Sequence, residues 1–194
     1  SDDKTYRYIY AGDKLMRMTV GDDVLDFSYD INGTPLTMTY NGTVYYYITN
    51  LQGDVMSLER ADGGSGASYA YDAWGNILAM SGTLAELNPL RYRGYVYDQE
   101  TGFYYLNSRY YDPAVGRFIS ADNFASTGQG VVGHNMFAYC NNSPVAYIDA
   151  SGDLPQAVTD KLVHDAVLAM IAFEQPNLSM TQTCIYYNGE NIWG

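Results

Sequence analysis

Short runs of β-forming residues recur along the chain, some alternating and some continuous: Tyr6-Arg7-Tyr8-Ile9-Tyr10, Thr43-Val44-Tyr45-Tyr46-Tyr47-Ile48, Tyr92-Arg93-Gly94-Tyr95-Val96-Tyr97 and Phe103-Tyr104-Tyr105-Leu106. Tyrosine suits a pleated surface, because its ring packs against cross-strand neighbours while its hydroxyl reaches water or a backbone group. The runs predict strands. Between them a turn recurs, as Tyr29-Asp30-Ile31-Asn32-Gly33, Tyr71-Asp72-Ala73-Trp74-Gly75, Tyr97-Asp98-Gln99-Glu100-Thr101-Gly102 and Tyr111-Asp112-Pro113-Ala114-Val115-Gly116, with weaker copies at Tyr10-Ala11-Gly12-Asp13 and Thr49 to Asp54. Its Asp can accept hydrogen bonds from backbone N–H groups two or three residues on, and its Gly supplies the positive φ that closes the loop. The predicted unit is a β-hairpin.

Tyr29 and Tyr71 stand 42 residues apart with the degenerate copy near Asn50 between them, a local period close to 21; the later copies follow after 26 and 14. A fixed period of this size marks a repeat architecture, in which each hairpin buries its face only by stacking on the next. Asp62-Gly63-Gly64-Ser65-Gly66 reads as an exposed loop, and Ser81 to Pro89 as an interruption with a short helical turn at Leu84-Ala85-Glu86-Leu87. After residue 152 the pattern changes. Val158, Leu162, Ala166, Met170 and Phe173 recur at helical spacing and predict one helix over about 155–173, opened by Asp153 and Pro155 and ended before Pro176. A strand-like Cys184-Ile185-Tyr186-Tyr187 and an Asn188-Gly189 turn then predict a last short hairpin.

Composition narrows the function. The chain has 194 residues, 10 basic against 22 acidic side chains for a net charge of −12, and 21 Tyr beside only 2 His and 2 Cys. A hydrophobic share of 47% is enough for a core. No stretch is apolar enough to span a membrane, and the opening Ser1-Asp2-Asp3-Lys4 has no signal-peptide character and reads as the start of a piece of something longer. Arg91, Arg93, Arg109 and Arg117 fall within 27 positions, yet Asp98, Glu100 and Asp112 interrupt them, so ordinary sheet surface is favoured over a nucleic-acid groove. Cys140 and Cys184 lack any paired spacing, and a zinc site would need His134 and His164 brought together from afar. No metal and no cofactor is expected.

The Tyr-Asp-x-x-Gly turns resemble YD repeats, and residues 89–152 resemble the Rhs repeat-associated core domain. The matching residues are Tyr97-Asp98-x-x-Thr101-Gly102-Phe103-Tyr104-Tyr105, then Arg109-Tyr110-Tyr111-Asp112-Pro113-x-x-Gly116-Arg117-Phe118-Ile119-Ser120-x-Asp122, then Asn135-x-Phe137-x-Tyr139, Asn141-Asn142-x-Pro144-Val145 and Asp149-x-x-Gly152. The resemblance implies a mainly β protein: YD hairpins over 1–88 forming a curved antiparallel sheet, the core domain over 89–152, and from 153 to 194 the start of a variable effector region. It implies the role of such segments in bacterial polymorphic toxins and toxin complexes, secreted or at the cell surface, where the shell encloses a C-terminal effector. The implied partners are the chain's own effector region, the remainder of the YD shell and a cognate immunity protein. Nucleic-acid binding by the shell is not implied, and effector identity is left open between a nuclease and other enzymes.

In self-cleaving members the core domain cuts the chain just after its last Asp-x-x-Gly. Carried onto this sequence, Asp122 and Asp149 are the candidate catalytic pair: of two close carboxylates one keeps its proton and acts as acid while the other activates water. Arg117 is the candidate for biasing their charges, and the cut is expected between Gly152 and Pro155, beside Leu154. The first motif, Asp122-Asn123-Phe124-Ala125, lacks Pro and Gly, and the second, Asp149-Ala150-Ser151-Gly152, lacks Pro. The competing account is that both aspartates cap turns and nothing is cut. Two other readings compete with a structural shell: a toxin enzyme residing after 152, for which His164 beside Asp165 and the effector-like opening Ile185-Tyr186-Tyr187-Asn188-Gly189 are the hints, and a glycan-binding adhesin using exposed rings such as Trp74.

Overall fold

Most of the β-forming runs fold as strands, and within each sheet the strands pair in chain order. The computed structural model describes residues 5–121, 136–149, 151–153, 156–157, 186–187 and 190–191. β1 (Tyr6–Ala11), β2 (Lys14–Val20), β3 (Asp23–Tyr29), β4 (Pro35–Tyr40), β5 (Thr43–Thr49), β6 (Val55–Glu59), β7 (Ser65–Tyr71) and β8 (Ile77–Ser81) form one antiparallel sheet in chain order. One face is polar. There Arg17 pairs with Asp26, the Ser28 and Thr37 hydroxyls lie 2.6 Å apart, and those of Ser68 and Ser81 lie 2.8 Å apart. The other face buries Leu15, Met18, Leu25, Phe27, Met38 and Leu58, each stabilising the fold by about 1.5–3 kcal/mol.

The turns of the first sheet at Asp30, Asn50 and Asp72 share one geometry. Asp30 Oδ1 accepts from the N–H groups of Asn32 and Thr34 at 2.9 and 2.8 Å, and Asp72 Oδ1 from Trp74 and Asn76 at 2.8 and 2.9 Å. Asn50 does the same for Gln52 and Asp54, so the degenerate copy is a full member. In these three the acceptor reaches the second and fourth residues on, because a five-residue loop brings its far end back over the Asp or Asn side chain; in the longer copies at Asp98 and Asp112 the side chain takes the second N–H and the backbone carbonyl takes the N–H of the closing Gly. The loop expected at 62–66 is shorter. Arg60 N–H bonds the Gly64 carbonyl at 2.7 Å, and Ser65 already belongs to β7.

The chain then crosses beneath the apolar face. The predicted helical turn is present as a single Asn88 N–H to Leu84 carbonyl bond of 2.8 Å, and Leu84, Ala85 and Leu90 join the core. Of the strand expected over 92–97, only β9 (Val96–Asp98) forms; Tyr92–Gly94 is a 3-10 turn with Arg93 at φ 56°. β9, β10 (Phe103–Leu106), β11 (Arg109–Asp112) and β12 (Arg117–Phe118) make a second antiparallel sheet around Tyr104, Tyr111, Phe118 and Tyr139.

β13 (Tyr147–Ile148) pairs with β14 (Gln156–Ala157). The helix expected over 155–173 is not borne out at its start: Gln156–Ala157 is strand, and the rest of that range lies outside the described residues. The chain divides into two units, Ser1–Asp160 and Lys161–Gly194. Within the second, β15 (Tyr186–Tyr187) pairs with β16 (Glu190–Asn191), as the final hairpin requires.

Candidate functional site

Three of the four clustered arginines point inward. Arg91, 2% exposed, donates to the carbonyls of Ala85, Glu86 and Asn88 at 3.0–3.1 Å and lies 4.3 Å from the Tyr97 ring centroid. Arg93 donates to the carbonyl of Pro144 at 2.6 Å and that of Gln52 at 3.3 Å, and its Nε lies 3.6 Å from Asp54. Such guanidinium groups staple segments together and leave Arg117 as the exposed member of the cluster.

The third, Arg109, builds the site around Asp149. Asp149 follows β13 and is 1% exposed; its Oδ1 accepts the Gly152 N–H at 2.9 Å, and its Oδ2 lies 3.8 Å from Arg109 Nη2. Its backbone carbonyl accepts the Tyr95 hydroxyl at 2.8 Å. Arg109 Nε donates to the Gly152 carbonyl and Nη1 to that of Met136 at 3.2 Å, while the guanidinium lies 3.6 Å from the centroid of the Phe118 ring. Ser108 Oγ donates to the Ser151 carbonyl at 2.9 Å. Gly152 has φ +80°, and a Cβ there would lie 2.5 Å from the Leu106 carbonyl oxygen. The Asp149–Gly152 turn is thus clamped against the β10–β11 hairpin from both sides.

Burial pushes the Asp149 carboxyl above its ordinary value, the nearby Asp153 charge adds to this, and the Gly152 N–H and the Arg109 charge hold it back. A buried carboxyl with a raised pKa beside a carbonyl gripped by a guanidinium has the parts of an acid or base next to a polarised peptide group. Of the sequence candidates, Asp149 is in this site and Arg117 stands on β12 with its backbone paired to Asp112 and Ala138. Asp122, Leu154, His134, His164, Asp165 and Cys184 lie outside the described residues. Arg109 carries the charge that acts on Asp149; it stands in the quoted Arg-Tyr-Tyr-Asp run, but 40 positions from Asp149 nothing in the spacing signals the contact.

Trp74, the ring proposed for sugars, is half-buried against Gly116 at the joint between the two sheets. Cys140 is free and buried, which pushes its thiol up to about 12. Among the described residues no three His, Cys, Asp or Glu side chains converge as metal ligands, and no helix is long and apolar enough to cross a membrane.

A sheet of stacked YD hairpins followed by an aromatic core sheet defines a YD-shell segment. A family model described as Teneurin YD-shell matches residues 7–145, and the chain belongs to that family. Among curated relatives, it is 39% identical over 150 residues to the tRNA3(Ser)-specific nuclease WapA of Bacillus spizizenii, covering 75% of this chain and 6% of that protein. It is 40% identical over 85 residues to the double-stranded DNA deaminase toxin A of Burkholderia cenocepacia, covering 42% of this chain and 6% of the relative. The chain therefore spans a small fraction of the length of these two relatives. Among solved structures, the crystal structure titled TcdB2-TccC3-Cdc42 shares the fold with a TM-score of 0.64 at 23% identity, over 84% of this chain and 8% of that one.

Proposed function

We propose that this chain is a structural shell segment of a bacterial Rhs/YD-repeat toxin, acting outside the producing cell or at its surface, with the region after 152 belonging to the effector that the shell encloses. One observation carries the reading: relatives named for different activities, a tRNA nuclease and a DNA deaminase, match 75% and 42% of this chain, so the stretches they match overlap. A part common to proteins of unlike chemistry is their scaffold, not their catalyst. The partners are the remaining shell and the effector region, with an immunity protein directed at the effector. Limited proteolysis of the parent protein tests it. The effector region is expected to resist digestion while the shell is intact; digestion as fast as that of the free effector overturns it.

The Asp149 site favours one attached activity, a single self-cleavage beside Leu154. Water adds to the scissile carbonyl carbon, one carboxylate of the Asp122–Asp149 pair takes its proton, and the other carboxyl protonates the leaving amide nitrogen as the C–N bond breaks. Tethering provides the effective concentration that a single turnover needs. Denaturing mass spectrometry of freshly folded protein is expected to give two fragments, lost in Asp122→Asn and in Asp149→Asn. An intact mass after prolonged incubation rules cleavage out and leaves the shell reading standing.

A further inference from the structure

β14 lies downstream of residue 152, where the effector region begins, yet Gln156 and Ala157 fall in the compact unit Ser1–Asp160 that holds both large sheets. What joins them to it is β13, with Tyr147 opposite Ala157 and Ile148 opposite Gln156. β13 is anchored by the shell along its own length. Arg93 donates to the Pro144 carbonyl at 2.6 Å, Gln52 Nε2 to the Val145 carbonyl at 2.9 Å and the Tyr95 hydroxyl to the Asp149 carbonyl at 2.8 Å. Ile148 is buried, and Tyr147 packs against the second core.

Opposed residues of an antiparallel pair alternate between exchanging two N–H···O bonds and exchanging none. The Tyr147 N–H donates to the Ser143 carbonyl at 3.1 Å, so Ile148 and Gln156 are the pair that exchanges bonds. Such bonds need one N–H and one carbonyl, which every residue except proline supplies. Strand pairing takes its partner by the main chain, and selectivity arises only where pockets receive the side chains. Ala157 brings no more than a methyl group. From the anchored β13 and this register we propose that β13 is a docking strand for the head of the effector region, gripping residue 156 through its main chain and accepting any residue there except proline. The proposal rests on the reading that the region after 152 is effector. It gives one shell a way to hold effectors of unlike sequence, because a main-chain grip reads no side chain.

The test uses the whole chain in an Asp122→Asn background, which keeps it uncut, and reads hydrogen exchange at the Ile148 amide. Gln156→Lys/Ala157→Ser replaces both side chains of β14 and keeps both N–H groups, and exchange is expected to stay within about twofold of the parent. Gln156→Pro removes the N–H that faces Ile148 and is expected to speed exchange about tenfold. Ala157→Pro removes an N–H that faces away from β13 and is expected to behave like the parent. Unchanged far-UV spectra establish that the variants fold. Exchange in Gln156→Lys/Ala157→Ser as fast as in Gln156→Pro, equal acceleration in the two proline variants, or no acceleration in either overturns the proposal. Failure of the effector reading shows elsewhere, as rapid digestion of the region after 152 within an intact shell, and leaves exchange at Ile148 as it is.

Discussion

The Tyr111 hydroxyl donates to the Trp74 carbonyl at 2.7 Å, and it is flanked by two more of its kind: Tyr92 donates to Ala73 and Tyr104 to Gly75, each at 2.9 Å. Three successive carbonyls of the turn between β7 and β8 are thus held by three tyrosines that follow it in the chain. The contact joins the repeat sheet to the core sheet through one turn.

Removing these hydroxyls while keeping the rings separates hydrogen bonding from packing. Tyr104→Phe leaves the Gly75 carbonyl without its donor at a cost of about 1–2 kcal/mol, which lowers Tm by about 2–4 °C per kcal/mol in a domain of this size. The Tyr92→Phe/Tyr104→Phe/Tyr111→Phe combination is expected to fall below any single variant in thermal unfolding. An unchanged Tm in the combination would show that the hydroxyls add nothing.

Asn88 plays a similar part beneath the first sheet. Fully buried, it accepts from the Tyr47 hydroxyl at 2.7 Å and donates to the Leu90 carbonyl at 2.7 Å and to the Tyr69 hydroxyl at 3.2 Å. Asn88→Leu conserves volume but strands these groups, so a loss of about 3 kcal/mol is expected in urea unfolding. Adding Tyr47→Phe should recover part of it, because removing both partners costs less than orphaning one. A double variant weaker than Asn88→Leu by the full Tyr47→Phe cost contradicts the pairing.

Much of this fold was legible because its rules are local. A Tyr-Asp-x-x-Gly string carries its own acceptor, its own positive-φ residue and its return strand, and even Asn50 closes the same loop. What escaped was set by distant partners. Tyr92-Arg93-Gly94-Tyr95 alternates like a strand, but Asp54 receives the Arg93 N–H at 3.1 Å and Arg93 itself reaches Pro144, so the segment turns instead. Likewise Asp149 was evident from its motif, whereas Arg109 was not. Its role depends on the β10–β11 hairpin delivering it to Gly152, a juxtaposition that charge and spacing do not encode.

Glycines at positive φ are not equivalent. Gly12 at φ +60° has nothing within 4 Å of a Cβ, so Gly12→Ala carries only the backbone cost of about 1 kcal/mol. At Gly152 the same methyl would meet the Leu106 carbonyl oxygen at 2.5 Å and Ser108 Oγ at 2.7 Å. Gly152→Ala should therefore push the turn off the hairpin. Hydrogen exchange is expected to show faster exchange at the residue 152 amide, which Asp149 now holds, with little change in Gly12→Ala. Equal exchange in the two variants would mean that the clamp is not tight.

Asp149 makes stability depend on pH with a definite sign. Its folded pKa is raised above the ordinary 3.8, chiefly by burial, so the folded chain holds the proton more firmly than the unfolded chain. Its favourable contribution is complete below 3.8 and is lost as pH climbs through the raised folded value. Asp149→Asn retains an oxygen to accept the Gly152 N–H and carries no charge at any pH. Relative to the parent, this variant should therefore gain stability as pH rises through that window and level off above it. Urea unfolding at a series of pH values, in an Asp122→Asn background so that chain cleavage does not intrude, measures the difference. The Arg109 charge 3.8 Å away acts in the opposite direction. If its attraction outweighed burial, the Asp149→Asn variant would lose ground to the parent with rising pH, and the buried carboxyl would be an ordinary ion-pair partner with no proton to give.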